Sequence, residues 1–280
     1  MKPATTFLLI CLFLLPVRLC AQVVESEETK ILSVSSYSVT ESSADVSSSI
    51  SRKSTEYYKD MAVIPVGEFL MGSPDDEGFP NEHPRHKVYL DAFFIDKYEL
   101  SGAKYRIFAQ ATGRKMPRQP CADKDNCPVV YVNWNDAQAC CEYYGKRLPT
   151  EAEWEKAARG RTDAKYSFGD NEKMLGVYAW YWGNSGTKVH PVGGKKTNKY
   201  GLYDMHGNVL EWVADWYDDK YYETSPGINP KGAPDGREKV VRGGSAFVSA
   251  PLCRSAIRMR SSPDNLYSGR SFRCAVSVIK

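Results

Sequence analysis

The chain has 280 residues, enough for one large domain with a sizeable core. Its formal net charge of +3 comes from 37 basic and 34 acidic residues, so neither a nucleic-acid nor a membrane-surface role has electrostatic support. Six Trp and eighteen Tyr suit an irregular fold whose core is filled by large rings with polar handles.

Residues 1–21 read as a signal peptide. Lys2 is the charged start, Phe7 to Val17 the apolar run, and Ala21 the small residue at the cleavage point. The run is too short to span a bilayer comfortably, so no transmembrane segment is expected. Cys20, as a lipid-bearing residue, is the alternative end of the leader. Either way the protein is exported, to a periplasm, a cell surface or the medium, where cysteines tend to pair. Residues 22–60 are Ser-rich and read as a disordered linker that buries too little apolar surface to fold. The folded domain is expected over 61–280.

That domain opens with a strand at Met61–Gly67 that continues through Glu68–Gly72. Residues 73–88 are a solvated loop by their Pro, Gly, Asp and Asn content. VYLDAFFIDKYEL (88–100) is a candidate strand pair. Ser101 caps a helix with Tyr105, Phe108 and Ala109 on one face, ending at Gly113. Pro128–Val132 reads as a short strand, and Asn135 as the cap of a second helix carrying Cys140 and Cys141 on its buried side, stopped at Gly145. Thr150-x-x-Glu153 is a capping box for a third helix with Trp154, closed by Gly160.

After residue 161 helical periodicity fades into short strand fragments, glycine turns and aromatics. YAWYWGNSGTKVHPVGG (178–194) reads as a loop followed by a short strand. YGLYDMHGNVLEWVADWY (200–217) is the richest stretch. Gly207-Asn208 is a turn pair, with Gly expected to supply φ > 0. Beyond it Leu210, Trp212, Ala214 and Trp216 form a core face, and Val209, Glu211, Val213 and Asp215 the other. Asp204 and Glu211 bracket a turn with inward carbonyls, a plausible hard-cation site. The fold class is α+β with much irregular structure. No phosphate loop, dinucleotide fingerprint or internal repeat is present.

Without the leader, six of the eight cysteines remain, and six allow 15 pairings. Cys121 and Cys127 close a short loop and pair easily. Zinc spacings are absent and the four His are scattered.

GLYDMHGNVLEW (201–212), GEFLMGS (67–73), KRLPTEAEWEKAARG (146–160), VRGGS (241–245) and SFRCA (271–275), in that family's order and spacing, resemble the formylglycine-generating enzyme, or sulfatase-modifying factor, domain. The resemblance runs from about Met61 to Lys280. It implies that family's fold, related to C-type lectins. It implies a structural calcium ion on the side chains of Asp204 and Glu211 and the carbonyls of Gly207 and Val209. It also implies a disulfide between Cys141 and Cys274.

The family's chemistry uses copper(I) between two cysteine thiolates to oxidise a substrate cysteine to formylglycine. Here the first thiolate position is Val248 and the second is Cys253. A single thiolate does not make the two-sulfur site, so copper is not expected. Ser245 and Cys253 are the candidate catalytic residues that remain. Arg254, Arg258 and Arg260 read as surface charge, or as the lining of a groove for an anionic or peptide ligand. Cys253 reads as an inert thiol, a partner of Cys140, or a reactive cysteine whose pKa those arginines lower. Two functions follow. One is an exported, calcium-stabilised module that binds an exported or surface polypeptide without making formylglycine. The other is an oxidase or maturation enzyme of the formylglycine-generating type, acting on a side chain of an exported protein through Cys253.

Overall fold

Local rules place the three main helices. α1 (Gly102–Thr112) starts where Ser101 Oγ accepts the Lys104 N–H and ends at Gly113, left-handed at φ 69°. Tyr105, Phe108 and Ala109 are its buried stripe. α2 (Trp134–Tyr143) is capped by Asn133, whose Oδ1 accepts the Asp136 N–H at 2.8 Å, and not by Asn135, which lies in the first turn. Both residue types suit a cap, but only Asn133 has the extended backbone a cap requires. α3 (Glu151–Arg159) carries the expected capping box of Thr150 and Glu153 and ends at left-handed Gly160. All nine of its residues are buried, charged ones included.

The structure, a computed structural model, describes residues 58–278. The signal peptide and nearly all of the Ser-rich linker lie outside the described residues. The described part begins just ahead of Met61, with Tyr58 stacked on Phe94 at 4.4 Å and the Asp60 carbonyl accepting from Lys97 N. It is α+β, with short strands in three small sheets. β1 (Met61–Ile64) and β2 (Gly67–Met71) are separate strands. β3 (His86–Leu90) pairs with β2, and β4 (Phe93–Asp96) lies between β1 and β9 (Ala275–Ser277). So 88–100 does not form a hairpin: its two strands serve different sheets. Pro128–Val132 joins no sheet: Tyr131 is left-handed at φ 58°, and the segment makes a lone bridge from Pro128 to Ser101. Residues 178–194 likewise form no strand.

The third sheet has the order β7 (Met259–Ser261), β6 (Lys239–Arg242), β5 (Leu210–Trp216), β8 (Arg270–Phe272), with only the β5–β8 pair parallel. β5 is buried on both faces. Leu210 and Trp212 pack with α1, α2, Val241 and Phe272. Val213 packs on the opposite side with Trp154, Ala157, Ala158 and Val240. The alternation expected along β5 holds from Leu210 to Ala214, where it separates two cores and not core from solvent; past a register shift Trp216 joins the Val213 core instead of the face expected of it. Short helical turns, α4 (Leu175–Tyr178) and α5 (Tyr221–Thr224), punctuate the irregular half.

Among the described residues two disulfides are present, Cys121–Cys127 and Cys141–Cys274. The second joins α2 to the segment between β8 and β9 across a separation of 133 residues. A loop of that length is worth about 5 kcal/mol in the chain-entropy model, and removed native bridges commonly cost roughly 2–5. Replacing both Cys141 and Cys274 by Ser is expected to lower unfolding free energy by about 3–5 kcal/mol. Urea denaturation of oxidised wild type against the double variant measures it, and an unchanged midpoint contradicts it.

Candidate functional site

The turn ahead of β5 is held by packing as much as by backbone preference. Asp204 and Asn208 are the residues with positive φ, 60° and 64°. Gly207 is not among them. It is required because a Cβ there would lie 2.2 Å from the Trp180 carbonyl oxygen. Asn208 then makes five bonds, its carbonyl accepting from Ala246 N at 2.9 Å. Its N–H donates to Trp180 O at 2.7 Å, its Oδ1 accepts from His190 N, and its Nδ2 donates to Glu99 Oε2 and His190 O. Glu99 Oε1 also accepts the Val209 N–H at 3.1 Å. Glu99 thus orients the turn, a role no feature of the sequence 88–100 announced.

Three carboxylates face one another here: Glu99, Asp204 and Glu211, all at or below 1% exposure. One guanidinium answers them. Arg273 Nη2 donates to Glu211 Oε1 at 2.7 Å and Arg273 Nε to Oε2 at 2.8 Å, while Trp154 Nε1 also donates to Oε2 at 2.9 Å. Asp204 Oδ2 accepts from Gly193 N at 2.7 Å, but its Oδ1 is buried with no partner. Burial, then the surrounding carboxylates, pushes Glu99 well up. Burial pushes Asp204 up to about 6.

This donor set is all oxygen and carries more negative charge than Arg273 balances, so it suits a hard cation. Asp204 offers a whole oxygen, and Glu211 Oε1 keeps a lone pair beyond its one bond to Arg273. The carbonyl oxygens of Gly207 and Val209 accept no hydrogen bond from the surrounding loops. Among the described residues no three His, Cys, Asp or Glu side chains gather as a metal cluster, so an ion here depends on those carbonyls.

The second candidate region is residues 243–260. Gly244 is left-handed (φ +71°), and a Cβ on it would sit 2.9 Å from Cys253 Sγ. Cys253 and Ser245 are fully buried. Ser245 Oγ accepts from Phe247 N, and the Cys253 thiol donates weakly to Ser249 O at 3.6 Å. Val248 packs its hydrocarbon into the cluster containing Cys253, Tyr166 and Ala250. His206 braces the segment from behind. Its Nε2 accepts from Ser167 N, so Nδ1 carries the proton and donates to Cys253 O at 2.9 Å. Burial brings His206 down to about 4, so the ring is neutral. Cys140 is also a free buried thiol, but it belongs to the core around α1 and α2 and does not pair with Cys253.

The three arginines do not line a groove beside Cys253. Arg254 is buried in a two-pronged pair with Glu82 at 2.8 and 2.9 Å. Arg258 is buried against Glu151 at 2.7 and 2.9 Å, with its guanidinium over the Tyr222 ring. Arg260 alone is on the surface, paired with Glu238. None of them lowers the Cys253 thiol, which burial pushes up to about 12.

A family model, the sulfatase-modifying factor enzyme 1-like domain, matches residues 46–278. The chain belongs to this family. It is 35% identical to the formylglycine-generating enzyme of Thermomonospora curvata, over 81% of this chain and 97% of that one. It is 30% identical to a mouse protein named inactive C-alpha-formylglycine-generating enzyme 2, over 78% of this chain and 86% of that one. The solved structure of PvdO from Pseudomonas aeruginosa is similar at a TM-score of 0.71 and 29% identity, covering 78% of this chain and 94% of that one. The fold is that of the family.

Glu211 and Arg273 have no exposed side-chain surface. Breaking one partner of such a pair strands the other charge, at about 3–5 kcal/mol. Glu211→Gln is therefore expected to destabilise by about 3 kcal/mol or more, with or without calcium. Chemical denaturation in chelator measures this, and a loss below about 1 kcal/mol would contradict the pair's role.

Proposed function

We propose that this protein is an exported, non-catalytic member of the family, stabilised by calcium and binding an exported or surface polypeptide. One observation carries the reading. Where the resemblance implies two thiolates for copper(I), the protein has a packed valine and a sealed thiol. Val248 offers no ligand atom. Burial pushes the Cys253 thiol up to about 12, so it is held as the thiol and not the thiolate at pH 7. Soft thiolates are what select copper(I), so both halves of the site are lost. Kinship with a relative whose name declares it inactive supports the same reading.

The face over this region is suited to contact. Trp182, 63% exposed, adjoins it through its N–H to the Val248 carbonyl. Tyr267, beside the exposed Leu266, meets Phe247 edge-on at 6.3 Å. Exposed aromatic and apolar side chains around a rigid loop are what a polypeptide-binding surface uses. Two disulfides agree with an oxidising compartment. Among the described residues no helix is long and apolar enough to cross a membrane.

Copper(I) titration under a competing chelator tests the negative half. Wild type is expected to show no high-affinity binding, and Val248→Cys to gain it. Tight wild-type binding lost in Cys253→Ser would instead favour the oxidase.

Calcium would be held by Asp204, Glu211 and the carbonyls of Gly207 and Val209, supplying the positive charge that Arg273 alone does not. At a hundredfold excess over its dissociation constant a ligand of the native state adds about 2.7 kcal/mol. Chelation is expected to lower the melting temperature of wild type and not that of Asp204→Asn. Magnesium is expected to restore it poorly, because it resists giving up its waters. Identical melting curves with calcium and with chelator would remove the ion from the proposal.

A further inference from the structure

Burial sorts the arginines of this protein. Among the described residues six are buried: Arg159, Arg242, Arg254, Arg258, Arg270 and Arg273. Five have a glutamate partner within 4 Å. Arg270, 3% exposed, has none. Its Nε is sealed from water without an acceptor, and only Nη2 donates, to the Asn265 carbonyl at 2.6 Å. Nη1 makes no hydrogen bond and is not sealed. Below, the guanidinium lies over the Trp212 ring at 4.0 Å. Such a ring offsets part of the desolvation of a cation and leaves its in-plane donors unsatisfied.

The charge environment agrees. In Arg242, Arg254, Arg258 and Arg273 burial works against the charge and glutamates outweigh it, raising all four. In Arg270 burial wins, and the group falls to about 10. It remains charged at neutral pH with no anion beside it. Lys239 is the instructive contrast. It too is buried with no carboxylate within 4 Å, although Asp215 is close enough to raise it, but it is closed between the Trp134 and Trp216 rings and donates to Ala214 O. Both its faces are occupied and nothing is left for a ligand.

Arg270 adjoins the proposed contact face. The residue before it, Gly269, lies so close to Phe247 and Tyr267 that a Cβ would fall 2.7–2.9 Å from their rings. Phe247 in turn precedes Val248. The segment that lends the Asn265 carbonyl to Arg270 also presents exposed Leu266 and Tyr267.

We infer that Arg270 is an anchor for a carboxylate of the bound polypeptide, with the Asn265 carbonyl as its neutral placeholder. The inference deepens the polypeptide-binding reading and rests on it for the occupant. It does not require calcium. A carboxylate would give Nη1 the acceptor it lacks and, in taking the place of the Asn265 carbonyl on Nη2, close a two-pronged pair in bonds about twice as strong as a neutral carbonyl makes. The carboxylate has two possible sources, an acidic side chain or the C-terminus of the polypeptide, and the test separates them.

The reporter is the Arg270 Nε–H resonance in a ¹H–¹⁵N spectrum, assigned by its loss in Arg270→Lys. Three blocked tripeptides are titrated: one with central glutamate and amidated end, its glutamine counterpart, and a triglycine with a free C-terminus. The resonance is expected to shift with at least one carboxylate peptide and not with the glutamine peptide. The responding peptide names the source. Affinity, followed through backbone amides of residues 265–270, is expected to fall at least tenfold in Arg270→Leu and several-fold in Arg270→Lys. Arg270→Leu lays hydrocarbon on Trp212 and is expected to melt no lower than wild type. No shift with either carboxylate peptide overturns the anchor. Equal shifts with glutamate and glutamine also overturn it, while leaving polypeptide binding standing. A lowered melting temperature in Arg270→Leu together with a silent resonance would mark the residue as purely structural.

Discussion

Glu211 and Arg273 meet where no water reaches either, and most of the molecule is tied to that contact. Arg273 spends its remaining hydrogens on the carbonyls of Asp96, Lys97 and Tyr203, so it joins the end of β4 and the loop at 203 to β5. Trp154 brings α3 to the same carboxylate. The next residue along, Cys274, is bonded to α2, and its N–H donates to Asp96 Oδ2. One ion pair therefore sits at the crossing of both cores. Such a pair, set against a hydrocarbon replacement of equal volume, adds little net stability. What it contributes here is register: a one-residue slip of β5 turns Glu211 towards the α1–α2 core and away from Arg273, which is then left buried without its carboxylate.

The same device recurs around α3. Glu155 accepts from Arg159 and Arg242, and Glu151 from Arg258. Arg159 and Arg242 are drawn towards one carboxylate from the helix and from β6. Short strands and long irregular stretches supply few ladder bonds, so directed charge pairs take over the task of fixing loop geometry. The loop 73–82 is a case in point. It looks solvated by composition, yet Glu82 is fully buried, gripped by Arg254 and Ser73.

Legibility in the sequence followed the range of the interaction. Caps at Ser101 and Thr150 and stops at Gly113 and Gly160 depend on neighbours three or four residues away, and the structure has them. So does the Cys141–Cys274 bridge, which the family resemblance implied. Asn133 against Asn135 failed by two residues because residue type does not reveal which backbone is extended. Two-sided burial of β5 was hidden, since period-two alternation looks the same whether the second face meets water or another core. The arginines failed for a deeper reason. Arg254 and Arg258 look like surface or groove residues, but their partners Glu82 and Glu151 are over a hundred residues away in sequence. Glu99 escaped in the same way: its role exists only once Asn208 is folded against it.

The scaffold and the chemistry that the family resemblance implies rest on different atoms, so the first does not depend on the second. Register depends on Glu211, Arg273, Trp154 and the α3 charges. Copper would depend on sulfur at positions 248 and 253. Around Cys253, His206 donates to its carbonyl and Gly244 approaches its side chain closely. The first is to backbone and the second is steric, so neither needs a thiolate. Once position 248 is hydrocarbon, it gains by packing against Tyr166 and Ala250, and that packing takes Cys253 out of water. The packing of Val248 and the burial of the Cys253 thiol are then one event in physical terms. The low-dielectric pocket that stabilises Val248 is the same pocket that raises the thiol.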